Sequence, residues 1–193
     1  MSPVSPTPPK DNSTGGEGQT VLAPGMLMIG SGGKKSGKTT LACTLIEREA
    51  AKGRVAGAKV TAVHEHGVPC PHGKKGCGVC STLKGPYRLT LELGDAKGKD
   101  TTKLLESGAD PVYWLCVQKN HLKVGAGKLL EGIPGVSVCE SNSLRNAVEP
   151  DLFLVAQRTD STTLKRSCRE VSHHIDEVVR FDGETFSPSP DVF

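Results

Sequence analysis

The 193-residue sequence contains no apolar run of the roughly 18 residues at which a stretch becomes a candidate membrane span, so neither a span nor a membrane partner is expected. It also lacks a strong charge of either sign: 24 Lys and Arg stand against 21 Asp and Glu, a formal net charge of +3. So mild a balance gives no support to a dedicated nucleic-acid binder. The opening segment, MSPVSPTPPKDNSTGGEGQTVLAPG, lacks the apolar core of a secretory signal. The expectation is a cytoplasmic protein, in which seven cysteines read as thiols or metal ligands rather than as a disulfide framework.

The length suits one domain with a proper core and not two. Residues 1–25 are rich in Pro, Ser, Thr and Gly, which predicts a disordered tail. Residues 187–193, SPSPDVF, are expected to fray. Between them, residues 26–186 carry the predicted domain, with a cysteine-rich insertion at about 67–93.

Met26–Gly30, MLMIG, is a short apolar run and a candidate buried strand. It leads into Gly32–Thr39, GGKKSGKT, which meets the pattern G-x-x-x-x-G-K-[ST] at every required position. Leu41, Leu45 and Ile46 then recur at helical spacing, and Gly53 is a helix stop. Gly32, Gly33 and Gly37 let the backbone curl so that successive N–H groups point into one concavity, which binds phosphate oxygens. The N-terminus of the next helix adds a partial positive charge there. The expected ligand is GTP or ATP with Mg²⁺, held by Gly32, Gly33, Lys34, Lys35, Ser36, Gly37, Lys38, Thr39 and Thr40. In that expectation Lys38 reaches the β- and γ-phosphates and Thr39 offers its hydroxyl to Mg²⁺. Lys34 and Lys35 add positive charge near the phosphates or are simply solvated.

Alternation of Val55, Ala58, Val60 and Val63 predicts a second strand ending near His64. In open α/β sheets the carboxyl ends of strands face the ligand crevice, which would bring Lys59, His64, Glu65 and His66 near the phosphates. His64 and His66 suit a metal, or are solvated at a polar strand end. Further on, 101–107 reads as a helix stopped by Gly108, 111–117 as a strand, and 120–133 as a helix weakened by two glycines. GVSVCESNSL reads as a strand ending at Glu140, DLFLVAQRTD as another, residues 162–175 as a helix, and DEVVRF as a last short strand. Strands alternating with helices predict an α/β fold of the P-loop NTPase class, a mainly parallel sheet with helices on both faces. Cys43, Cys116, Cys139 and Cys168 stand alone in patterned segments and read as small buried apolar residues. Gln157–Asp160, QRTD, follows a strand as the N-K-x-D turn of many GTPases does. Two of its three defining positions differ, so a polar turn is the preferred reading and Asp160 as a base reader the alternative.

GKDTTKLLESGA, residues 98–109, resembles the G-K-D-S-x-x-x-x-x-A-G-A block of the molybdopterin-guanine dinucleotide biosynthesis protein B (MobB) family. The glycine-rich motif, the end of the second strand and the acid at Glu140 fall in matching order, and the resemblance spans residues 26–181 apart from the insertion. It implies a small GTP- or ATP-binding protein of low intrinsic NTPase activity, a homodimer that helps attach a nucleotide to molybdopterin or insert the cofactor. Its partners would be molybdopterin, a molybdenum-cofactor enzyme or a nucleotidyltransferase. By position the resemblance makes Lys38, Asp100 and Glu140 the catalytic candidates, the two acids standing around Mg²⁺ or an attacking water. Asp100 also reads as a helix N-cap, and Glu140 as a surface acid. Two features depart from the family: Ser141 and Asn142 replace Gly-Phe after the strand-end acid, and the cysteine insertion is foreign to plain members.

That insertion holds Cys70-x-His72-x₄-Cys77-x₂-Cys80. The C-x₂-C pair with Cys70 and His72 offers a tetrahedral set for zinc. An iron–sulfur cluster on Cys70, Cys77 and Cys80 is the main rival, and transient capture of a metal or bare thiols are further readings. Lys74 and Lys75 favour thiolates in any of these. Besides the accessory NTPase, two other functions stay open. One is a nucleotide-gated metal chaperone. The other is a small-molecule kinase with a metal-stapled lid, although such a lid supplies arginines and this one offers only Arg88 beyond it.

Overall fold

Residues that alternate along a central strand are buried on two opposite faces, and the apolar run at Met26 shows it. In a computed structural model, which describes residues 20–64, 82–94 and 99–193, Met26 and Met28 join one core cluster and Ile29 joins the other. The elements in chain order are β1 Val21–Ser31, α1 Lys38–Ala50, β2 Ala56–Val63, β3 Tyr87–Leu91, α2 Asp100–Glu106, β4 Val112–Gln118, α3 Leu122–Gly132, β5 Ser137–Glu140, β6 Val148–Arg158, α4 Arg166–Arg169, β7 Glu177–Phe181 and β8 Phe186–Ser187.

Among the described residues the strands form one eight-stranded sheet in the order β3-β4-β2-β5-β1-β6-β7-β8. Its inner neighbours are parallel, and the two edge strands β3 and β8 run antiparallel to β4 and β7. One face is covered by Leu41, Leu45 and Ile46 of α1 and Leu104 of α2. The other is covered by Leu122, Ala126 and Leu129 of α3, Leu144 of a short 3₁₀ turn, and Cys168 of α4. The chain is therefore an α/β protein with a mixed, mostly parallel sheet and helices on both faces. Among the described residues no helix is long and apolar enough to cross a membrane.

Four boundaries differ from expectation. β1 begins at Val21, inside the expected tail of residues 1–25, because the early start of β6 gives Val21–Ala23 a parallel partner in Val148–Pro150. The register shifts between Ala23 and Leu27, where Gly25 turns with φ 81° and donates its N–H to Asp151 Oδ2 at 2.7 Å. At the other end, residues 187–193 are anchored: Ser187 pairs with Arg180, and Arg48 of α1 donates to the Pro190 carbonyl at 2.7 Å. The helix expected over 162–175 shrinks to α4 and a 3₁₀ turn at Ser172–His174. Lys165 has extended backbone, and its N–H is taken by the Gly32 carbonyl at 2.7 Å, so helix can begin only at Arg166. Finally, β3 lies in what reads as insertion, yet Tyr87 and Leu89 alternate with Arg88 and Thr90 and pack on the core.

The glycine in α3 that weakens its helical pattern has a packing reason. A Cβ at Gly125 would stand 2.9 Å from Val117 Cγ2 of β4, so a larger residue would push α3 off the sheet. The lone cysteines follow their apolar reading: Cys116, Cys139 and Cys168 are buried and Cys43 is half-buried. Burial pushes the Cys139 thiol up to about 12 and raises those of Cys43 and Cys168 as well, so none of these three is poised as a thiolate.

Candidate functional site

β1 lies between β5 and β6, and its carboxyl end delivers the chain into the glycine-rich turn. The Gly32 N–H still donates to the Ala156 carbonyl at 2.8 Å, after which the backbone leaves the sheet. Lys35 has φ 53° and Gly37 φ 81°, the two left-handed residues of the turn. A Cβ at Gly37 would come within 2.6 Å of the Phe181 ring, so only glycine fits there. Gly37 is also the N-cap of α1 and has no side chain to satisfy the first N–H groups of that helix. Those donors, with the helix dipole behind them, are available to an anion.

The turn is braced from both sides. Ser31 Oγ donates to the Gly33 carbonyl at 2.6 Å and lies 3.0 Å from Ser36 Oγ. Asn142, just past β5, accepts the Ser31 N–H on Oδ1 at 2.7 Å. Through Nδ2 it donates to the Ser31 carbonyl at 3.0 Å and to Ser167 Oγ at 3.3 Å. Gly30 is part of the same fit, since a Cβ there would stand 3.0 Å from Asn142 Oδ1 and 2.9 Å from the Phe153 ring.

Two lysine–carboxylate pairs stand beside the turn. Lys38 Nζ bonds Glu140 Oε2, and Lys59 Nζ bonds Asp100 Oδ2. The Glu140 side chain has no exposure, and its Oε1 has no hydrogen-bond partner among the described residues. Asp100 is the first residue of α2 rather than its cap; Lys99 holds the N-cap position, and Asp100 turns to Lys59 instead. Partial burial works against the Asp100 carboxylate, but the Lys59 hydrogen bond and the charges of Lys59, Lys38 and Lys103 together hold its pKa below the ordinary value. Burial lowers the pKa of Lys165, and the Lys38 charge lowers it further.

A cavity of about 530 Å³ opens over the turn, lined by Ser31 and Gly33–Thr40, with Asp100, Lys103 and Lys165 around it. Lys34, Lys35, Lys38, Lys103 and Lys165 against one carboxylate make its wall cationic. A second cavity of about 400 Å³ adjoins it on the Gly32–Lys34 side. The arrangement can hold a polyanion against backbone N–H groups and ammonium groups, with a buried acid one residue contact away.

Of the residues expected at the site, Lys34, Lys35, Ser36, Gly37, Lys38, Thr39, Thr40 and Asp100 line the larger cavity. Gly32 lines the smaller one, and Glu140 is reached through Lys38. His64 follows the end of β2 as expected. Glu65, His66, Cys70, His72, Cys77 and Cys80 lie outside the described residues. Among the described residues no group of three or more His, Cys, Asp or Glu could hold a metal ion. Asp160 is exposed, with its oxygens 2.7 Å from Arg158 Nε and Nη2, the geometry of a polar turn. Sequence reading missed Asn142, Lys103 and Lys165. Asn142 carried a signal, its departure from Gly-Phe after the strand-end acid; the two lysines carried none beyond their charge. Comparison with protein-family models, with curated proteins and with solved structures finds no match to the chain.

Proposed function

We propose that the chain binds a nucleoside triphosphate, GTP or ATP, with its phosphates in the turn at Gly32–Thr39, and hydrolyses it slowly as a P-loop NTPase. The observation that carries this reading is the turn itself. Uncapped α1 N–H groups, a left-handed Gly37 and a wall of lysines converge on one cavity at the carboxyl edge of a mostly parallel sheet.

In this reading Lys38 exchanges Glu140 for the β- and γ-phosphate oxygens when nucleotide enters. Glu140 is then a buried carboxylate with both oxygens open, able to accept a hydrogen bond from the water that attacks the γ-phosphorus. The bond from that phosphorus to the β–γ bridging oxygen breaks, and the water's proton passes to the acid or to the released phosphate. Lys59 keeps Asp100 in place at the cavity wall. A divalent cation fits these donors, since Thr39 lines the cavity and Glu140 Oε1 is a buried oxygen without a partner. Thr39 would hold Mg²⁺ and Glu140 would face its water shell; the ion's charge offsets that of the phosphates.

The binding test is equilibrium titration of the full chain with MgATP and MgGTP. Wild type should bind, and Lys38→Ala, checked for native circular dichroism, should lose at least about tenfold in affinity. Unchanged affinity in that variant would sink the assignment. For the biological role we propose assembly or insertion of a molybdenum cofactor, which rests on the 98–109 resemblance. Deleting the gene should lower molybdoenzyme activity while molybdopterin is still made; unaltered activity would remove that role. For Cys70, His72, Cys77 and Cys80 we propose zinc or an iron–sulfur cluster. Metal analysis and a visible spectrum of anaerobically purified protein separate the two, and near-zero content of both metals would count against a permanent site.

A further inference from the structure

The smaller cavity, about 400 Å³, falls inside the size range of small-molecule clefts. Its outer wall is the segment after β6, with Gln157, Arg158, Ser161, Leu164, Lys165 and Arg169. That segment is tied to the turn by the Lys165 N–H on the Gly32 carbonyl. Lys34 and Lys165 line both cavities, so a molecule with its phosphates in the turn has room for its next rigid group here.

Among the described residues no Asp or Glu lines this cavity. Asp160, the nearest acid in the segment, faces solvent and has both oxygens taken by Arg158 at 2.7 Å. Gln157 spends its amide nitrogen on the Ser161 carbonyl at 2.9 Å, and Arg169 spends Nη1 on the Leu164 carbonyl at 2.8 Å. What the wall still offers is the apolar Leu164, the long stems of lysines and arginines, guanidinium faces, and the neutral oxygens of Gln157, Ser161 and Thr163. The stems, the guanidinium faces and Leu164 are surfaces on which a flat ring stacks whatever its edge carries.

We infer that this cavity takes the nucleoside of the bound nucleotide and holds the base by stacking, without the carboxylate that would select guanine. The inference rests on the nucleotide reading given above. Guanine's exocyclic amine meets no carboxylate among the described lining residues, only neutral oxygens that serve the adenine amine as well, and adenine stacks on the same surfaces.

The test is calorimetric titration of the full chain, with Mg²⁺, against ATP, GTP, ITP and tripolyphosphate, the last having phosphates but no nucleoside. The three nucleotides should bind within about threefold of one another, and Asp160→Ala should change none of them. Arg169→Ala should weaken all three by about tenfold and leave tripolyphosphate unaltered. Thr163→Trp, which fills the cavity, should repeat that pattern if Arg169→Ala misfolds. A GTP preference over ITP of more than about tenfold, or a loss confined to GTP in Asp160→Ala, would overturn the inference. So would an equal loss for tripolyphosphate in the Arg169 variant, which would make the cavity an anion site. If wild type binds neither ATP nor tripolyphosphate, the failure lies instead in the nucleotide reading.

Discussion

Lys38–Glu140 and Lys59–Asp100 are the same chemical pair set in two different places beside one cavity. The lysines are similarly covered, with side chains 23% and 27% exposed, but Glu140 is at 0% and Asp100 at 38%. Asp100 keeps contact with water and loses little if its lysine leaves. Glu140 depends on Lys38, because its second oxygen is buried without a partner and an uncompensated buried charge is costly. The buried pair therefore links stability to ligand: whatever draws Lys38 away must offer Glu140 another positive neighbour or a proton. The more exposed pair, at the first residue of α2, carries no such demand.

The largest effect should come from Lys38→Ala, which strands the Glu140 carboxylate and should cost about 3–5 kcal/mol in urea denaturation. The double variant Lys38→Met with Glu140→Leu should recover most of that loss while still failing to bind nucleotide. A cost under about 1 kcal/mol for the single change would erase the distinction between the pairs. Next in size is Asn142→Ala. It leaves the Ser31 N–H unsatisfied in a buried setting, for about 1–3 kcal/mol, and should weaken nucleotide binding by loosening the start of the turn. Asp100→Asn should cost less than about 1 kcal/mol, and a loss as large as that of Lys38→Ala would show that the two sites are not different in kind.

The smallest effect is the acid dependence of Asp100. Its pKa in the folded chain is below the ordinary 3.8, so around that pH the unfolded chain binds more protons and stability rises with pH. The contribution is complete above the unfolded value and disappears as pH falls through the lower folded one. Melting temperatures of wild type and Asp100→Asn should thus converge at the acid end and separate toward neutral pH; parallel curves would mean that Lys59 does not stabilise the charged form.

The strand, turn and helix at Met26–Ala50 were legible because three local signals agree there: an apolar run, glycines where the backbone must reverse, and helical spacing after them. The sheet order was not legible, since pairing such as β1 between β5 and β6 leaves no trace in local pattern. The short α4 was misjudged for a related reason. Residues 162–175 read as one helix, but a carbonyl from Gly32, far back in the chain, takes the Lys165 N–H. Asp100 and Glu140 were identified as residues while their lysine partners were only partly foreseen, because an ion pair between distant segments depends on the tertiary fold. Asp160 matches one of the three defining positions of a base-reading motif, and the neighbour that pairs with it, Arg158, sits in plain view two residues earlier.

The ring of Phe181 behind Gly37 has a consequence for how the protein is made. The turn follows β1, yet its floor belongs to β7, which leaves the ribosome much later than the motif itself. The nascent chain can form β1 and α1 early, but it cannot present a finished turn until β7 has docked beside β6. Ligand competence is thus acquired only once β7 has been made, and a chain released short of Phe181 would carry the whole glycine-rich motif with its floor missing.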